Sequence, residues 1–578
     1  MLKQGFAAAI LVASTVSAAQ AQTIYPINRA EILATSNFDF KVEFPDAPQA
    51  LNGVTVTING VDARQVLGNE VAFIPNEDGQ NYSAYWIRKS QLNKPGRYIV
   101  EARSGNRVAQ VTWEVYGTAE KAKAKNVILF VGDGMTIANR TAARILSKGL
   151  VEGRYGGNLV MDTFPQMALV STSGSDSVVT DSANSMSAYT TGHKSCVNAL
   201  GVYCSRSKGT LDHPKVETIS ELIKRKTSKA VGIVTNAEIE DATPAVMFAH
   251  TRRRSDFNDI VAMMYAVQPD IIFGGGSPNF LPKSVLGSKR TDETNYIDLF
   301  KSAGYAFVTT ATEMNSAAGR EEKKILGLFN TGNIDGAYDL KFKKGTTDRF
   351  PDQPDLVAQT QAALKSLSRN QNGFILMVES ARIDKYSHSL DWVRSVYDTI
   401  MLDNAVKAAK EFAGDRNDTM IIVVPDHAHA MSIVGTYNDD LPGDLPRDKL
   451  GTYDQAKFPS YAPDAQGYPE KVDLPQRLAV VYGTYPDHCY NAKPYLDGEF
   501  VPAVPGPEKG TYVANEKYCV PGSVRVTGNL PKTVPQGVHS ADDVLLVATG
   551  PGTESFKGRI DNTGVFRIIA EALALGSP

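Results

Sequence analysis

Several long apolar runs in this sequence lead directly into carboxylate or imidazole side chains. The runs NVILFV, FILMV and MIIVV are each followed within three residues by such a side chain. If the runs are strands of one sheet, the side chains at successive strand ends converge on one edge. Carboxylates and imidazoles gathered there predict a multi-metal catalytic site. The side chains at the strand ends are Asp133, Glu379, Asp426 and His427, and Asp384 and His388 lie between them along the chain.

The apolar runs also indicate the fold class. KAVGIVTN and PDIIFGGG join the three runs above as near-continuous apolar stretches, which are typical of strands covered on both faces. Helical patterns such as VETISELIKRK and LDNAVKAAKEFAG lie between the runs. Strands that alternate with helices predict an α/β protein with a large doubly wound, mostly parallel sheet flanked by helices. The 578 residues, 42% of them hydrophobic, suffice for this core and for a further domain.

The region 22–117 follows a different pattern. Its segments VTVTING, RYIVEAR and VTWEVYG alternate with period two and are separated by turn signals. Several short strands in such a short region predict a small β-sandwich of immunoglobulin-like type. It holds no histidine, and we assign it no chemistry. The small, charged segment GTAEKAKAK then predicts a linker, so that residues 118–578 form the catalytic domain.

A further segment interrupts the catalytic domain. The α/β pattern breaks after Ala430 and resumes near Gly537, a connection far longer than is usual between elements. The intervening segment is rich in Tyr, Pro and Gly, and it predicts an inserted subdomain at about residues 431–535. Because its ends flank His427 and His539, we expect it near the active edge, where it either shapes substrate access or forms a dimer contact.

Residues 1–21 have the composition of a cleaved secretory signal. Lys3 precedes an apolar stretch, and Ala19-Gln20-Ala21 provides a small-residue cleavage site. The apolar stretch is shorter than the ~20 residues that a membrane span needs, and no later segment is apolar for long enough. We therefore expect a periplasmic or secreted protein without a membrane span.

Charge and cysteine content limit the function further. A formal net charge of -3 provides no global attraction for nucleic acid or an anionic membrane, so any anion binding is expected to be local. In an exported protein an even number of cysteines favours disulfides. The simplest pairing joins Cys196 to Cys204 and Cys489 to Cys519. The alternative, a thiolate metal site, lacks a Cys-x-x-Cys spacing.

Two motifs suggest a nucleophile and an anion site. In SVVTDSANSMSAYTTGHK, Ser182 stands where a helix begins, and the free N–H groups there favour an anion. A serine so placed near a cation can attack an electrophile, although Ser and Asp are also ordinary N-caps. In EDATPAVMFAHTRRRSD, the guanidinium of Arg254 would complete the anion site. The alternative is that Arg252 to Arg254 form a solvated run of surface charge.

The eight histidines differ in their sequence context. His388 follows Asp384 by four residues, so both share a face if that segment is helical. His427 comes directly after Asp426 at a strand end, and His429 follows after one alanine. A lone histidine is more often structural than a ligand, but this grouping is hard to explain by packing. By contrast, the histidines interpreted as structural or surface residues are His193, His213 and His488.

The ordered set of motifs resembles that of the alkaline phosphatase family. VGDGM, TDSA, EDATPA, VESARIDK, PDHAHA and a late Val-His-Ser occur in the family order. They span most of residues 126–578 apart from the insertion, and GGGSPNF and LGLFNTGNI are similar as well. The combination is specific, whereas any single motif would not be. The resemblance implies a phosphomonoesterase with an alkaline pH optimum on an alkaline-phosphatase-like α/β fold.

The resemblance also implies the site residues and the ions. Ser182 would become phosphorylated, Arg254 would bind phosphate directly and Lys385 would bind it through water. Two Zn²⁺ and one Mg²⁺ would be bound, which suits imidazole with carboxylate donors and an all-oxygen set respectively. The first zinc would be held by Asp384, His388 and His539, the second by Asp133, Asp426 and His427, and the magnesium by Asp133, Thr243 and Glu379, with Ser182 also among the metal-contacting residues. Asp241 and His429 would support these ligands, and His488 is the rival of His539.

These assignments predict an exported hydrolase that converts small phosphate monoesters into an alcohol and inorganic phosphate through a phosphoserine. Two alternatives stay open. One is a phosphodiesterase or sulfatase of the same superfamily, and the other is a non-catalytic phosphate-binding or adhesion protein, suggested by the amino-terminal β domain. Nucleic acid is not expected as a specific partner. The sequence leaves the oligomeric state open, with a homodimer as one option.

Overall fold

The computed structural model describes residues 22–68, 70–320 and 322–578, so the predicted signal segment 1–21 lies outside the described residues. The largest sheet has ten strands. In chain order these are β1 (Asn126–Gly132), β2 (Gln166–Ser171), β3 (Ala230–Glu238), β4 (Ile271–Gly275), β5 (Ala306–Val308), β6 (Ile325–Leu328), β7 (Phe374–Ser380), β8 (Thr419–Val424), β9 (Val544–Thr549) and β10 (Lys557–Asp561).

The spatial order of these strands is β5-β6-β4-β3-β7-β1-β8-β9-β2-β10. Strand β9 runs antiparallel to its neighbours β8 and β2, and the other neighbouring pairs are parallel. Val131 of β1 is paired with Glu379 of β7 and with Val424 of β8. The carboxyl ends of these three strands therefore lie side by side, and the amino end of β9 joins them. This mostly parallel sheet confirms the predicted α/β class.

The sheet is covered on both faces. Leu129 and Val131 of β1 belong to one apolar core, Ile128 and Phe130 belong to the other, and all four are at most 2% exposed. Successive side chains of a strand point to opposite faces, so a strand with two buried faces is apolar throughout. This geometry explains the continuous apolar runs of the sequence.

Helices lie between the strands along the chain. Some of them begin with a capping box, such as Thr136 with Asn139 and Thr218 with Glu221, which satisfies N–H groups of the first turn. Within the described residues, no helix is both long enough and apolar enough to cross a membrane. The helices after residue 118 are Ile137–Lys148, Ser182–Thr191, Ile219–Lys226, Ala242–Ala245, Phe257–Val267, Tyr296–Ser302, Ala311–Gly319, Ala337–Phe342, Leu356–Leu367, Arg382–His388, Trp392–Ala413 and Thr563–Ala572.

The described residues of the region 22–117 form mainly β-structure, with a short α-helix at Ala63–Leu67. A four-stranded and a five-stranded sheet meet through buried rings, with the ring of Phe40 5.8 Å from that of Trp113. This two-sheet arrangement agrees with a sandwich, while its immunoglobulin-like type and its limits stay predictions. The strands are Thr23–Tyr25, Glu31–Leu33, Phe38–Pro45, Val54–Ile58, Val61–Asp62, Ala72–Ile74, Tyr82–Ser90, Gly96–Ser104 and Arg107–Tyr116.

The segment 431–535 consists of short strands and loops. Met431–Asn438 pairs with both Leu450–Gly451 and Gln476–Tyr482. Two antiparallel pairs follow, His488–Tyr490 with Val524–Val526 and Ala503–Pro505 with Tyr512–Ala514. The predicted disulfides are confirmed: they are Cys196–Cys204 and, within this segment, Cys489–Cys519.

Candidate active site

Polar side chains gather at the carboxyl edge of β1, β7 and β8. Asp133 follows β1, Glu379 lies near the end of β7, and Asp426 follows β8. The helix Arg382–His388 begins two residues after β7 and contributes further side chains. The three strand-end carboxylates are each 4% exposed or less. The chain therefore buries several acids together, which a packed core avoids unless they have a compensating partner.

Four side chains form the first group of potential metal ligands. One nitrogen or oxygen atom from each of Asp384, His388, His429 and His539 lies within 4.8 Å of the others. Asp384 Oδ1 is 2.6 Å from His429 Nε2 and 3.2 Å from His539 Nε2. Asp384 Oδ2 is 3.3 Å from His388 Nε2. The group has the mixture of carboxylate and imidazole donors that zinc prefers.

Backbone carbonyls orient the rings of His388 and His539. His388 Nδ1 donates to Gly537 O and His539 Nδ1 donates to Thr180 O, each at 2.6 Å. In the neutral rings each Nε2 then keeps its lone pair, and these two atoms face each other at 3.2 Å. Metal-binding histidines are usually held in this way, with the other ring nitrogen bonded to a carbonyl or carboxylate.

The structure places His539, and not His488, in this group. A short two-stranded ladder pairs Ala428–His429 with His539–Ser540, and His429 stands opposite His539. Since β9 is antiparallel to β8, the residues that precede β9 arrive at the same edge as those that follow β8. His488 lies elsewhere, in the strand His488–Tyr490, and its Nδ1 donates to Pro486 O.

A second group of donor atoms consists of Asp133, Asp384 and His427. His427 Nε2 lies 3.3 Å from Asp133 Oδ1, from Asp426 Oδ2 and from Ser182 Oγ. Asp384 belongs to both groups, so the two groups are contiguous. The structure thus brings together the predicted ligands of both zinc sites and the predicted nucleophile.

Gly134 allows this close packing. Its φ is 64°, in the left-handed region, and its N–H donates to Asp426 Oδ1 at 3.1 Å. A Cβ at this position would lie only 2.7 Å from His429 Cδ2. Any side chain here would strain the backbone and would displace His429 from Asp384. The glycine of the VGDGM motif therefore has a steric role in the centre.

Ser182 is the first residue of the helix Ser182–Thr191 and is 4% exposed. The cap is the preceding residue, because Asp181 Oδ1 accepts from Asn184 N at 3.1 Å. In return, Asn184 Oδ1 accepts from Asp181 N at 3.0 Å, which completes a capping box. Asp181 fulfils the capping role, and the hydroxyl of Ser182 stays available beside His427.

The predicted magnesium ligands are buried oxygens, two of which take part in no hydrogen bond among the described residues. Thr243 Oγ1 and Asp133 Oδ1 form no hydrogen bond within the described protein. Glu379 accepts from Thr235 Oγ1, which the pairing of β3 with β7 places opposite it. A buried polar atom without a partner costs about 1–3 kcal/mol. A hard cation would satisfy such oxygens and is the ligand that this donor set suits.

The pKa values of the cluster point to the same conclusion. Burial raises the pKa of Glu379 and of Asp426. Burial, together with the charges of neighbouring acids, also raises the pKa of Asp133 well above its usual range. Burial lowers the pKa of His427, so its ring stays neutral, as a metal ligand must. Crowded carboxylates of this kind are stabilised in their ionised form by a divalent cation.

A cationic group lies beside these donors. Arg254 Nη2 and Lys385 Nζ contact the two carboxylate oxygens of Asp241, each at 2.7 Å, and Arg254 Nη1 lies 3.4 Å from Asp181 Oδ2. Burial alone would raise the pKa of Asp241, but Lys385 and Arg254 hold it below its usual range. The side chains of Arg254 and Lys385 are 27% and 25% exposed, so an anion from solvent can reach them.

Sequence reasoning missed two contacts of this site. The motif around Ser182 predicts a helix start capped by Ser or Asp, but it does not predict that Asp181 Oδ2 lies 3.4 Å from Arg254 Nη1. The position of Asp181 directly before the nucleophile was the available signal. Thr235 was not identified at all, because its contact with Glu379 depends on the register of two strands, which spacing along the chain does not reveal.

Known proteins with related sequences and structures support the resemblance. A family profile for alkaline phosphatase matches residues 124–575. The alkaline phosphatase of Escherichia coli K12 is 33% identical over 350 residues, which cover 54% of this chain and 71% of that protein. The Thermus thermophilus alkaline phosphatase has a TM-score of 0.57 and 23% identity, over 80% of this chain and 94% of that chain. A TAB5 alkaline phosphatase variant with magnesium bound in its M3 site has a TM-score of 0.51 and 23% identity, over 78% and 98% of the two chains.

The two kinds of comparison carry different weight. At 23% identity the solved structures support the fold, which agrees with the mixed sheet and its helices. The family profile spans well over half of the 578 residues, and the Escherichia coli relative matches over more than two thirds of its own length. The chain belongs to the alkaline phosphatase family, whose members depend on metals, and it is a phosphoric monoester hydrolase.

Proposed function

We propose that this protein hydrolyses phosphate monoesters through a phosphoserine formed on Ser182. The observation that carries the proposal is the position of Ser182 Oγ, 3.3 Å from His427 Nε2 of the second donor group, which shares Asp384 with the first. Arg254 approaches the same helix start through Asp181. A nucleophile, metal ligands and an anion-binding guanidinium thus share one edge of the sheet. A phosphate-binding protein without catalysis needs no nucleophile.

We propose two Zn²⁺ and one Mg²⁺ as the resident ions. The first zinc site would use Asp384, His388 and His539, and the second would use Asp133, Asp426 and His427 together with Ser182. Asp133, Thr243 and Glu379 would hold magnesium, which agrees with the unpaired oxygens of the first two. His429 would support Asp384, and Asp241 would support the cations. Bound ions would supply Lewis acidity and lower the pKa of oxygen ligands.

The chain's own residues define two displacement steps. Ser182 Oγ forms a bond to phosphorus while the bond from phosphorus to the ester oxygen breaks, and the alcohol leaves carrying a proton. Water then attacks the phosphoserine, the bond from phosphorus to Oγ breaks, and Ser182 regains its proton as inorganic phosphate leaves. The sum is one ester and one water converted into one alcohol and one phosphate.

Positive charge around Ser182 stabilises the phosphoryl group in both steps. The start of the helix Ser182–Thr191 presents free N–H groups and the positive end of the helix dipole. The fork of Arg254 can donate two hydrogen bonds to equatorial phosphate oxygens. Lys385, held by Asp241, adds a second cation and positions water at the phosphate.

Export and domain organisation belong to the same proposal. Residues 1–21 have the pattern of a secretory signal, and two disulfides suit an oxidising compartment. We propose a periplasmic or secreted protein with a β domain at 22–117, a catalytic domain at 118–578 and an insertion at about 431–535. Mass spectrometry of the exported protein should give a mature chain that begins at Gln22.

The ratio of kcat/KM for a phosphate monoester, a diester and a sulfate ester of the same aryl alcohol tests the reaction class. We expect the monoester to react fastest, because Arg254 and the helix start accommodate a terminal dianion whose three oxygens are all free. A faster diester or sulfate ester would contradict the proposal. Elemental analysis of the same preparation tests the ions: two zinc and one magnesium per chain are expected.

A further inference from the structure

A cavity of about 700 Å³ lies between the segment 431–535 and the residues that follow the helix Arg382–His388. Eight of its 22 lining residues are Trp, Tyr or Phe, which is more than a third, whereas these residue types make up 8% of the chain. No residue of the candidate active site lines it. Its volume falls within the range of small-molecule sites, about 300–1,000 Å³. The cavity is therefore large enough for a ligand of its own.

The aromatic rings leave surface open to the cavity. Trp392, Tyr485, Tyr490, Tyr495 and Phe500 all line it and are only half-buried, although they lie within folded protein. Rings that merely filled a core would be covered on all sides. Rings that keep an open face can stack on a flat ligand, and such stacking stabilises a complex beyond what the buried apolar area contributes.

The walls are held in place before any ligand binds. The Cys489–Cys519 disulfide crosses the segment, and Cys489 itself lines the cavity. Tyr518 packs against Tyr495 and Phe500, with ring centroids 4.9 and 4.5 Å apart. A site whose side chains are already ordered loses less entropy when a ligand binds.

Fixed hydrogen bonds tie the segment to the α/β part of the chain. Arg394 Nη1 and Nη2 donate to the carbonyls of Tyr495 and Leu496, each at 3.3 Å. Ser389 Oγ donates to Glu499 Oε1 at 2.6 Å. These contacts hold the two sides of the cavity at a defined separation.

Charge at the cavity favours an anion. Lys493 and Lys517 line it and are exposed, and Lys517 Nζ lies 5.5 and 5.4 Å from the ring centroids of Tyr495 and Tyr518. The single lining carboxylate, Asp391, is buried and paired with Arg394 at 2.8 Å. Among the described side chains that line the cavity, the net charge is therefore positive.

We propose that this cavity is a second binding site, distinct from the phosphate centre, for a flat aromatic ligand that carries an anionic group. The rings hold the aromatic body, and Lys493 and Lys517 face its anionic substituent. The chemistry of the site fits an aryl carboxylate, sulfonate or phosphate equally, since each combines a flat apolar ring with a compact negative charge.

The probe 8-anilinonaphthalene-1-sulfonate tests the proposal on the metal-loaded, full-length enzyme. Its two ring systems carry one sulfonate, and it has no phosphate to be hydrolysed. We expect one bound molecule per chain, with energy transfer from Trp392 that Trp392→Phe removes. Saturating inorganic phosphate should leave the affinity unchanged. Displacement of the probe by phosphate, or binding that bypasses Trp392, would overturn the proposal.

A matched pair of variants locates the probe. Val481→Trp fills the cavity and should weaken binding at least about tenfold, whereas Val434→Trp, on the neighbouring strand and outside the cavity, should not. Retained phosphomonoesterase activity shows that each variant is folded. If both valine variants bind the probe like the parent enzyme, the cavity is not the site.

Removing the rim charges tests the preference for an anion. Lys493→Gln with Lys517→Gln should weaken the sulfonate probe by roughly 3- to 10-fold. The neutral analogue N-phenyl-1-naphthylamine should be unaffected. The control pair Lys509→Gln with Lys532→Gln removes two exposed lysines of the same segment that do not line the cavity. Equal losses for the two probes, or for the two lysine pairs, would contradict the anion preference.

Discussion

The sheet-edge centre and the aromatic cavity are built in different ways. The centre takes its side chains from residues 133 to 539, and the strands β1, β7 and β8 hold them at one edge. The cavity takes almost all of its walls from residues 437–526, where a disulfide and ring contacts provide the order. The side chains of the centre are mostly buried and ionisable, whereas the cavity is lined mainly by apolar side chains and has lysines at its rim.

This difference suggests a division of labour. Chemistry requires atoms placed to a fraction of an ångström, and strand ends in a large sheet provide such rigidity. Recognition of additional ligands can be assigned to a segment of loops and hairpins, because changes there need not move the catalytic atoms. We therefore expect that a substitution in one region leaves the function of the other region unchanged.

The largest effect is expected for Ser182→Ala. Without the hydroxyl no phosphoserine can form, so kcat for a phosphate monoester should fall by at least about 10³-fold. Acid quenching with a labelled substrate should trap phosphate on the parent enzyme and none on the variant. Binding of the aromatic probe should not change. Covalent label on Ser182→Ala would show that another residue is the nucleophile.

Ser187→Ala is the matched control for that variant. Ser187 lies in the same helix and is buried, but its hydroxyl contacts only backbone groups of Ala183, Ala199 and Gly201. Its loss should cost stability of about 1 kcal/mol while kcat stays within about twofold. A comparable loss of kcat would mean that the integrity of the helix, and not the Ser182 hydroxyl, controls the rate.

Each of the two regions contains a histidine that can be replaced by alanine: His539 lies in the sheet-edge centre, and His488 lines the aromatic cavity. His539→Ala removes a donor that lies 3.2 Å from both His388 and Asp384, so we expect kcat/KM to fall by at least about 10²-fold with loss of zinc. His488→Ala, at the cavity, should keep its zinc and lose no more than about threefold in kcat/KM. Zinc content per chain measures the distinction. Loss of zinc from His488→Ala instead would reverse the assignment.

The sequence predicts the centre well because its signals are local. Asp133 and Asp426 each follow an apolar run, and the parallel order of β1 and β8 then dictates that they meet. Ser182 lies in a short motif next to its own cap. Where position depends on strand register, as for Thr235 opposite Glu379, spacing along the chain carries no signal.

The cavity could not be predicted for a related reason. Tyr495, Phe500 and Tyr518 meet through loops without periodicity, and their contact depends on where the Cys489–Cys519 disulfide brings the chain back. Sequence composition indicated an aromatic insertion but not an enclosed space. The same limit applies to His539, whose arrival beside His388 depends on the antiparallel direction of β9.

A smaller effect is expected when Arg254 is replaced. Its substitution distinguishes anion binding from metal binding within the centre. Arg254→Ala removes the guanidinium fork beside Ser182, so kcat/KM should fall by about 10²-fold and product inhibition by phosphate should weaken. Arg254→Lys keeps the charge but not the fork and should recover part of the loss. Zinc content should stay unchanged. Its loss would indicate that Arg254 maintains the metal ligands.

Arg253→Ala is the control from the same basic run. The side chain of Arg253 is 62% exposed and pairs with Asp256 at 2.6 Å, away from the donors of the centre. Its removal should change kcat/KM by no more than about twofold. A tenfold decrease would support the alternative that the whole run acts as a diffuse attractant for anions.

The smallest effect concerns an imidazole–carboxylate pair outside both regions. His250 Nε2 lies 2.9 Å from Glu221 Oε2, and neither residue belongs to a group of metal-type donors. Burial alone would lower the pKa of His250, but Glu221 raises it above 6.5. The contribution of this pair to the free energy of unfolding is therefore fully present below pH 6.5 and is lost as the pH rises through the raised pKa.

His250→Gln should lower the free energy of unfolding by about 1 kcal/mol at pH 6 and by less at pH 10, with kcat/KM unchanged. Thermal unfolding of both proteins across this range, with and without a chelator, measures the difference. A cost that is independent of pH would show that the pair acts through packing, and a cost that the chelator abolishes would link it to the centre.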